Sequence, residues 1–219
     1  MPTMPAVRFS RQAGVAAWFE TDAAQRLLRE ERPWVLERLG NRPAQPWLWL
    51  APAVQPGALP ELPGTGLRLR LSPQGGYDGD LRCHLPLPLP GESLQAIVLQ
   101  HVAGEDAAAL LDECERVLMP GGKLWLFALN PVSPYRWRWR RHAMVVRLPF
   151  GWRTLLQRSG LTCVDEVRYL GPVWRGGSSR SRGPAALGAA CLIAAEKRAA
   201  APIGPIPVPV WSRAPVPTA

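Results

Sequence analysis

The segment from Leu87 to Pro131, LPLPGESLQAIVLQHVAGEDAAALLDECERVLMPGGKLWLFALNP, leaves this chain few folds to choose from. Its first part, Ser93 to Val102, is a compact apolar run centred on Ala96, Ile97, Val98 and Leu99. A run without alternation suits a strand covered on both faces, as strands of parallel sheets are. Leu110, Leu111, Cys114, Val117 and Leu118 then recur at helical spacing and form one apolar stripe. Glu105 and Asp106 fall in the first turn, where negative charge complements the helix dipole. Met119-Pro120-Gly121-Gly122 stops the helix, because proline cannot continue it and glycine accepts the positive φ of a turn. Lys123 to Leu129 is a second buried strand. Strand, helix and strand in this order predict a right-handed βαβ unit in a parallel sheet.

That pattern suits any doubly wound α/β domain; the residues themselves narrow it. LPLPGESLQAIVLQHV followed by ERVLMPGGKLWLFALNP resembles the C-terminal half of class I S-adenosylmethionine-dependent methyltransferases, and most of all their type 11 branch. Arg116-Val117-Leu118 with Pro120-Gly121-Gly122 is the strongest part of the resemblance. WFETDAAQRLLREE, near the N-terminus, resembles the first helix of some stand-alone type 11 methyltransferase-like proteins. Read from its residues, the same stretch is a surface helix packed on the sheet. The resemblance implies an α/β, Rossmann-like fold: a mostly parallel seven-stranded sheet with helices on both faces. It also implies S-adenosyl-L-methionine as cofactor and methyl transfer as reaction, with the protein contributing mainly positioning.

The rest of the chain predicts where that fold is intact and where it departs. Thr21 or Asp22 offers a helix cap, Ala24 to Leu39 carries an apolar stripe, and Pro33 restarts or kinks the helix. Trp47 to Leu50 is the first strand, and Gly66 to Leu71 alternates strictly as the second. Asp80 to Leu85 reads as the third. In the family, the first strand leads into a glycine-rich loop against which the cofactor lies. Here Ala51 and Ala53 stand in a proline-interrupted segment, APAVQPG, and no helix is expected after it. The resemblance puts the ribose-binding acid at Ser72, the adenine-side pair at Cys83 and His84, and a further cofactor position at Gln100. None of these residues matches the family's pattern. Asp78 and Asp80 would replace the ribose acid only if their loop folded back. His101 is the one candidate general base near the C-terminal end of a central strand, where ligands bind in such sheets. Equally, it reads as a packing residue capping the strand.

After the fifth strand, Asn130 to Tyr135 (NPVSPY) superficially resembles the N-P-P-Y motif of amino-group methyltransferases. It is interrupted and follows the wrong strand, so it is not read as catalytic. Gly151 to Gly160 is a helix, Leu161 to Leu170 a strand, and Ala186 to Ala195 the last, antiparallel strand. The irregular residues 1–14 and a disordered proline-rich tail, 199–219, flank one domain, 15–198.

Charge is concentrated rather than spread. The net charge is +9, and residues 136–182 hold eleven arginines against two acids, so this segment accounts for all of it. Arg136, Arg138, Arg140 and Arg141 interleave with Trp137 and Trp139, a pattern suited to RNA, DNA or another polyanion, or to a membrane surface. The plainer reading is a solvated basic connection whose tryptophans pack on the core. Four dispersed cysteines in apolar elements read as buried thiols, and three histidines without an acidic helical partner give no metal site. No run approaches the ~18 apolar residues of a membrane span, and no signal peptide is recognisable, so a cytoplasmic protein is expected. Two readings follow: an S-adenosylmethionine-dependent methyltransferase with an eroded cofactor site, or a catalytically inactive methyltransferase-fold module whose 136–182 region holds a polyanion or protein partner.

Overall fold

A computed structural model describes residues 17–40, 44–52, 61–72, 75–102, 106–142, 146–172 and 185–198. Helix α1 (Asp22–Gly40) opens the fold. Thr21 caps it: its Oγ1 accepts from the Ala24 amide at 3.4 Å and donates to the Trp18 carbonyl at 2.7 Å. Pro33 lies inside α1 without ending it. The strands are β1 (Trp47–Ala51), β2 (Gly66–Leu71), β3 (Tyr77–Gly79) and β4 (Leu94–Gln100). Helix α2 (Ala107–Val117) leads into β5 (Leu118–Leu129). Helix α3 (Pro149–Arg158), β6 (Leu161–Cys163), β7 (Arg168–Leu170) and β8 (Ala190–Lys197) complete the domain.

All strands join one sheet in the order β3-β2-β1-β4-β5-β8-β6, with β7 also on β8. The pairs β1–β2, β1–β4 and β4–β5 are parallel, so the expected β4–α2–β5 crossover is present. Strand order reverses between β1 and β4, and the C-terminal ends of strands at such a reversal are where sheets of this kind bind ligands. The sheet separates two apolar layers. Leu48, Leu50, Ile97, Leu99, Leu124 and Leu126 pack with α2 and α3 on one side. Trp49, Ala51, Val98, Trp125 and Phe127 meet Val35 and Leu39 of α1 on the other. Truncating any one of these leucines to alanine removes about 2–5 kcal/mol, so either layer alone matters to folding.

Besides the last strand, which is Ala190–Lys197 rather than Ala186 to Ala195 because Ala185–Leu187 form a 3-10 turn, three strand expectations need correction. The third strand is Tyr77–Gly79, not Asp80 to Leu85, and it runs antiparallel to β2. The link from Leu71 to Tyr77 is too short for the crossover of about a dozen residues that a parallel neighbour needs. Gly75 and Gly76, with φ of 98° and 74°, turn the chain back as a hairpin instead. The second correction concerns Leu161 to Leu170. It is two strands, β6 and β7, which pair with successive parts of β8 in the same direction. Counted together they give the expected seven; counted apart, eight. The third concerns β5, which starts at Leu118 rather than Lys123, because Leu94 pairs with Leu118 before the register shifts. The Pro-Gly-Gly turn is therefore a bulge inside the strand. Gly121 sits at φ +76°, and a Cβ on Gly122 would lie 2.7 Å from the Met119 carbonyl. Valine at either position should lower stability by about 1–3 kcal/mol, Gly121 through backbone strain and Gly122 through crowding. Unchanged melting temperatures for both variants would show that the bulge does not need glycine.

Cys114 and Cys191 are fully buried and Cys83 nearly so. Burial raises all three thiols, that of Cys191 to about 12, so they stay protonated and inert. A thiol reagent should accordingly label the half-buried Cys163 in the native protein and the other three only on unfolding; rapid native labelling of more than one cysteine would contradict this. Among the described residues no helix is long and apolar enough to cross a membrane. Nor do they contain a cluster of His, Cys, Asp or Glu able to hold a metal.

Candidate functional site

The C-terminal end of β4 carries a buried polar network. Glu31, from the middle of α1, is fully buried there. His101 Nε2 lies 2.8 Å from both carboxylate oxygens of Glu31. Since a carboxylate only accepts, Nε2 carries the hydrogen. Gln100 Nε2 donates to Glu31 Oε2 at 2.7 Å, and Trp49 Nε1 donates to Gln100 Oε1 at 3.2 Å. Phe19 stacks on the His101 ring at 5.0 Å. His101 is itself in the left-handed region, φ +51°, while its amide still donates to the Phe127 carbonyl at 2.8 Å. Its Nδ1 is buried without a hydrogen-bond partner among the described residues. A carboxylate removed from water must be paired to be tolerated, so this network ties α1 to the ends of β1 and β4.

Most of the sequence-predicted cofactor positions lie along the C-terminal ends of neighbouring strands: Ala51 ends β1, Gln100 ends β4, Ser72 follows β2, and Cys83 bridges to Tyr77 opposite Leu71. Ala51 is buried on the layer facing α1. Ala53 lies outside the described residues. Ser72 is buried just beyond the end of β2. Cys83 is buried in the other layer and bridges to Tyr77, while His84 is exposed. Gln100 is committed to the network. The β2–β3 hairpin does fold the chain back and sets Asp78 opposite Arg70, but Asp78 pairs with Arg82 at 2.7 Å and Asp80 accepts from the Arg68 amide at 2.7 Å. His101 stands at the end of β4 as expected, with a relative exposure of 2 %. The expectation that no histidine has an acidic helical partner is overturned by Glu31, which the sequence reading missed. The signal was present: Glu31 falls on the apolar stripe of Ala24, Leu27, Leu28 and Val35. A charge on a buried face requires a partner.

The motifs behind the family resemblance have structural duties. Arg116 donates to the Leu87 and Leu89 carbonyls at 3.0 Å each, and Glu113 accepts from Arg116 and from the Leu87 amide. The hydrogen bond from Arg116 holds the Glu113 carboxyl below its usual range. A depressed carboxylate stabilises above its unfolded value of 4.5 and loses that contribution as pH falls through the folded value. The destabilisation by Arg116→Met should therefore be full at neutral pH and shrink in acid; a deficit independent of pH would remove Glu113 from the account. Asn130 forms a second clamp. Its Nδ2 donates to the Ala186 and Gly188 carbonyls at 2.9 and 2.8 Å, and its Oδ1 accepts from the Val132 amide at 3.1 Å. Ser133 Oγ donates to Leu187 at 2.7 Å, and the Tyr135 hydroxyl donates to the Ala23 carbonyl of α1 at 2.9 Å.

The basic segment divides the two readings made of it. Residues Pro134–Arg138 and Arg140–His142 form short 3-10 turns. Arg136, Arg138, Arg140 and Arg141 are all exposed. Trp139 is buried against Trp18, ring centroids 5.8 Å apart. Trp137 is 55 % exposed, with the Arg140 guanidinium 3.7 Å from the ring centroid.

No protein-family model matches the chain, and no curated protein matches it. Solved structures do. One is a chain from the Haloferax volcanii complex of the Trm112 methyltransferase activator with a candidate methyltransferase. It superposes with a TM-score of 0.59 at 16 % identity, covering 84 % of this chain and 98 % of that one. Another is Haemonchus contortus phosphoethanolamine N-methyltransferase 2, with a TM-score of 0.53 at 10 % identity, covering 87 % of this chain and 60 % of that one. The chain has the class I methyltransferase fold.

Proposed function

We propose that this chain is a methyltransferase-fold protein that no longer binds S-adenosylmethionine tightly and works as a binding module, using the basic surface after β5 to hold an anionic partner. The observation that carries this reading is the Glu31 network. At the end of β4, where a ligand would be met, Gln100 Nε2 and His101 Nε2 both point into the Glu31 carboxylate. Gln100 and His101 act here as positioning residues that hold α1 to the sheet. Asp78 and Asp80 are likewise engaged, with the Arg82 side chain and the Arg68 amide. Each specific hydrogen bond a cofactor would lose is worth about 1–3 kcal/mol, one to two decades of affinity. Titration calorimetry with S-adenosylmethionine should show weak or no binding, and a low-micromolar dissociation constant would overturn the reading. Four free cysteines agree with a reducing, cytoplasmic location.

The second reading is a working S-adenosylmethionine-dependent methyltransferase with an unidentified acceptor. It is favoured by the small side chains at the family's cofactor positions Ala51 and Ser72, which lie at the ends of the neighbouring strands β1 and β2. The Haemonchus neighbour, moreover, is in complex with S-adenosylhomocysteine. Because the Haloferax neighbour is in complex with an activator protein, a protein partner belongs to either reading. Transfer of a radiolabelled methyl group to an extract of protein, lipid and RNA tests the second reading directly.

A further inference from the structure

We propose that the surface beyond the C-terminal end of β5 docks on an anionic lipid membrane. The inference rests on the binding-module reading and names its partner class. Five large apolar side chains are exposed among the described residues, and four of them lie between positions 132 and 150. They are Val132 (60 %), Trp137 (55 %), Leu148 (55 %) and Phe150 (80 %). The four exposed arginines of the 3-10 turns lie within the same stretch. No Asp or Glu occurs between Glu115 and Asp165, so nothing in the sequence near them offsets the charge.

Topology puts both apolar groups at one end of the molecule. β5 delivers the chain to Val132 and the 3-10 turns at its C-terminal end. β6 is antiparallel to β8, as β5 is, so β5 and β6 run the same way. Helix α3 must then run back between them, and its first residues, Pro149 and Phe150, begin at the end where β5 finishes.

The chemistry favours lipid over nucleic acid. Bases are held by stacking on aromatic faces, but Val132 and Leu148 have none. Arg140 already covers one face of Trp137. Aliphatic and aromatic side chains beside arginines match the layered chemistry of a bilayer surface, where phosphates lie above acyl chains and indoles settle between. Trp139, in the same RWRWR run, faces inward and fixes the turns to Trp18 and Tyr135, so the outward residues are presented on a braced support.

The test is flotation of the full chain with phosphatidylcholine vesicles with and without phosphatidylglycerol, beside a single-stranded RNA and DNA binding assay. Binding is expected only to the phosphatidylglycerol vesicles. Arg136→Gln, Arg138→Gln and Arg141→Gln together should lower partitioning about a hundredfold, at roughly fivefold per cation. Trp137→Ser with Phe150→Ser should lower it at least about tenfold. All five positions are exposed, and unchanged thermal melts would confirm that both variants fold. Equal binding to neutral vesicles overturns the proposal, as does an arginine variant that fails while the Trp137 and Phe150 variant binds normally, which would leave charge attraction without insertion. Binding to nucleic acid but not vesicles overturns the lipid inference and leaves the binding-module reading standing. Binding to neither overturns the lipid inference and leaves the binding-module reading only with an acidic protein as its partner.

Discussion

Glu31→Ala should cost about 3–5 kcal/mol of folding stability, read as a shift of the urea midpoint at constant slope. The magnitude follows from what remains after truncation. His101 Nε2 and Gln100 Nε2 both donate to this carboxylate, and both would lose that acceptor in a buried place. Water cannot readily replace it, because Glu31 has no exposure and His101 almost none. For a domain stable by about 5–15 kcal/mol, this is a large fraction. A double-mutant cycle separates the pair from general packing. Glu31→Leu with His101→Leu should cost less than the two single leucine variants added together, with a coupling of about 1–3 kcal/mol, since removing both ends of a buried pair is far cheaper than removing one. Additive single effects, each under about 1 kcal/mol, would mean that α1 is not locked to β4 by this network.

Asn130→Ala should be the other severe change, at about 2–5 kcal/mol, from loss of hydrogen bonds to two carbonyls and one amide around a side chain 1 % exposed. Asn130→Asp is the sharper variant. It keeps size and shape but turns a carboxylate towards the Ala186 and Gly188 carbonyls, so it should be at least as costly as alanine near neutral pH. Tolerance of aspartate would show that the clamp before β8 is not made by this amide. The pair of variants also bears on the Asn-Pro sequence, which here has a fold-holding role sufficient to account for it.

The legible part of this protein is the part whose environment is uniform along the chain. β4 is covered on both faces from Ala96 to Leu99, so these residues are apolar without alternation, and α2 meets one layer, so its stripe has a single period. The failures occurred where distant geometry overrides local pattern. Leu81, Cys83 and Leu85 alternate like a strand, but the glycine turn before them had already sent the chain back along β2. The Leu161 to Leu170 run is broken because its pairing with β8 is interrupted, which no local preference records.

The candidate site divides along the same line. From sequence alone came the α/β crossover and the concentration of charge after β5, because short-range periodicity and composition carry those facts; the departures at Ser72, Cys83, His84 and Gln100 are expectations that rest on the family resemblance. Tertiary structure alone decided that Glu31 meets a histidine seventy positions away, and that Trp137 and Trp139, two residues apart between arginines, take opposite fates. A 3-10 turn carries alternate side chains to different sides, and only the position of Trp18 determines which of them is covered.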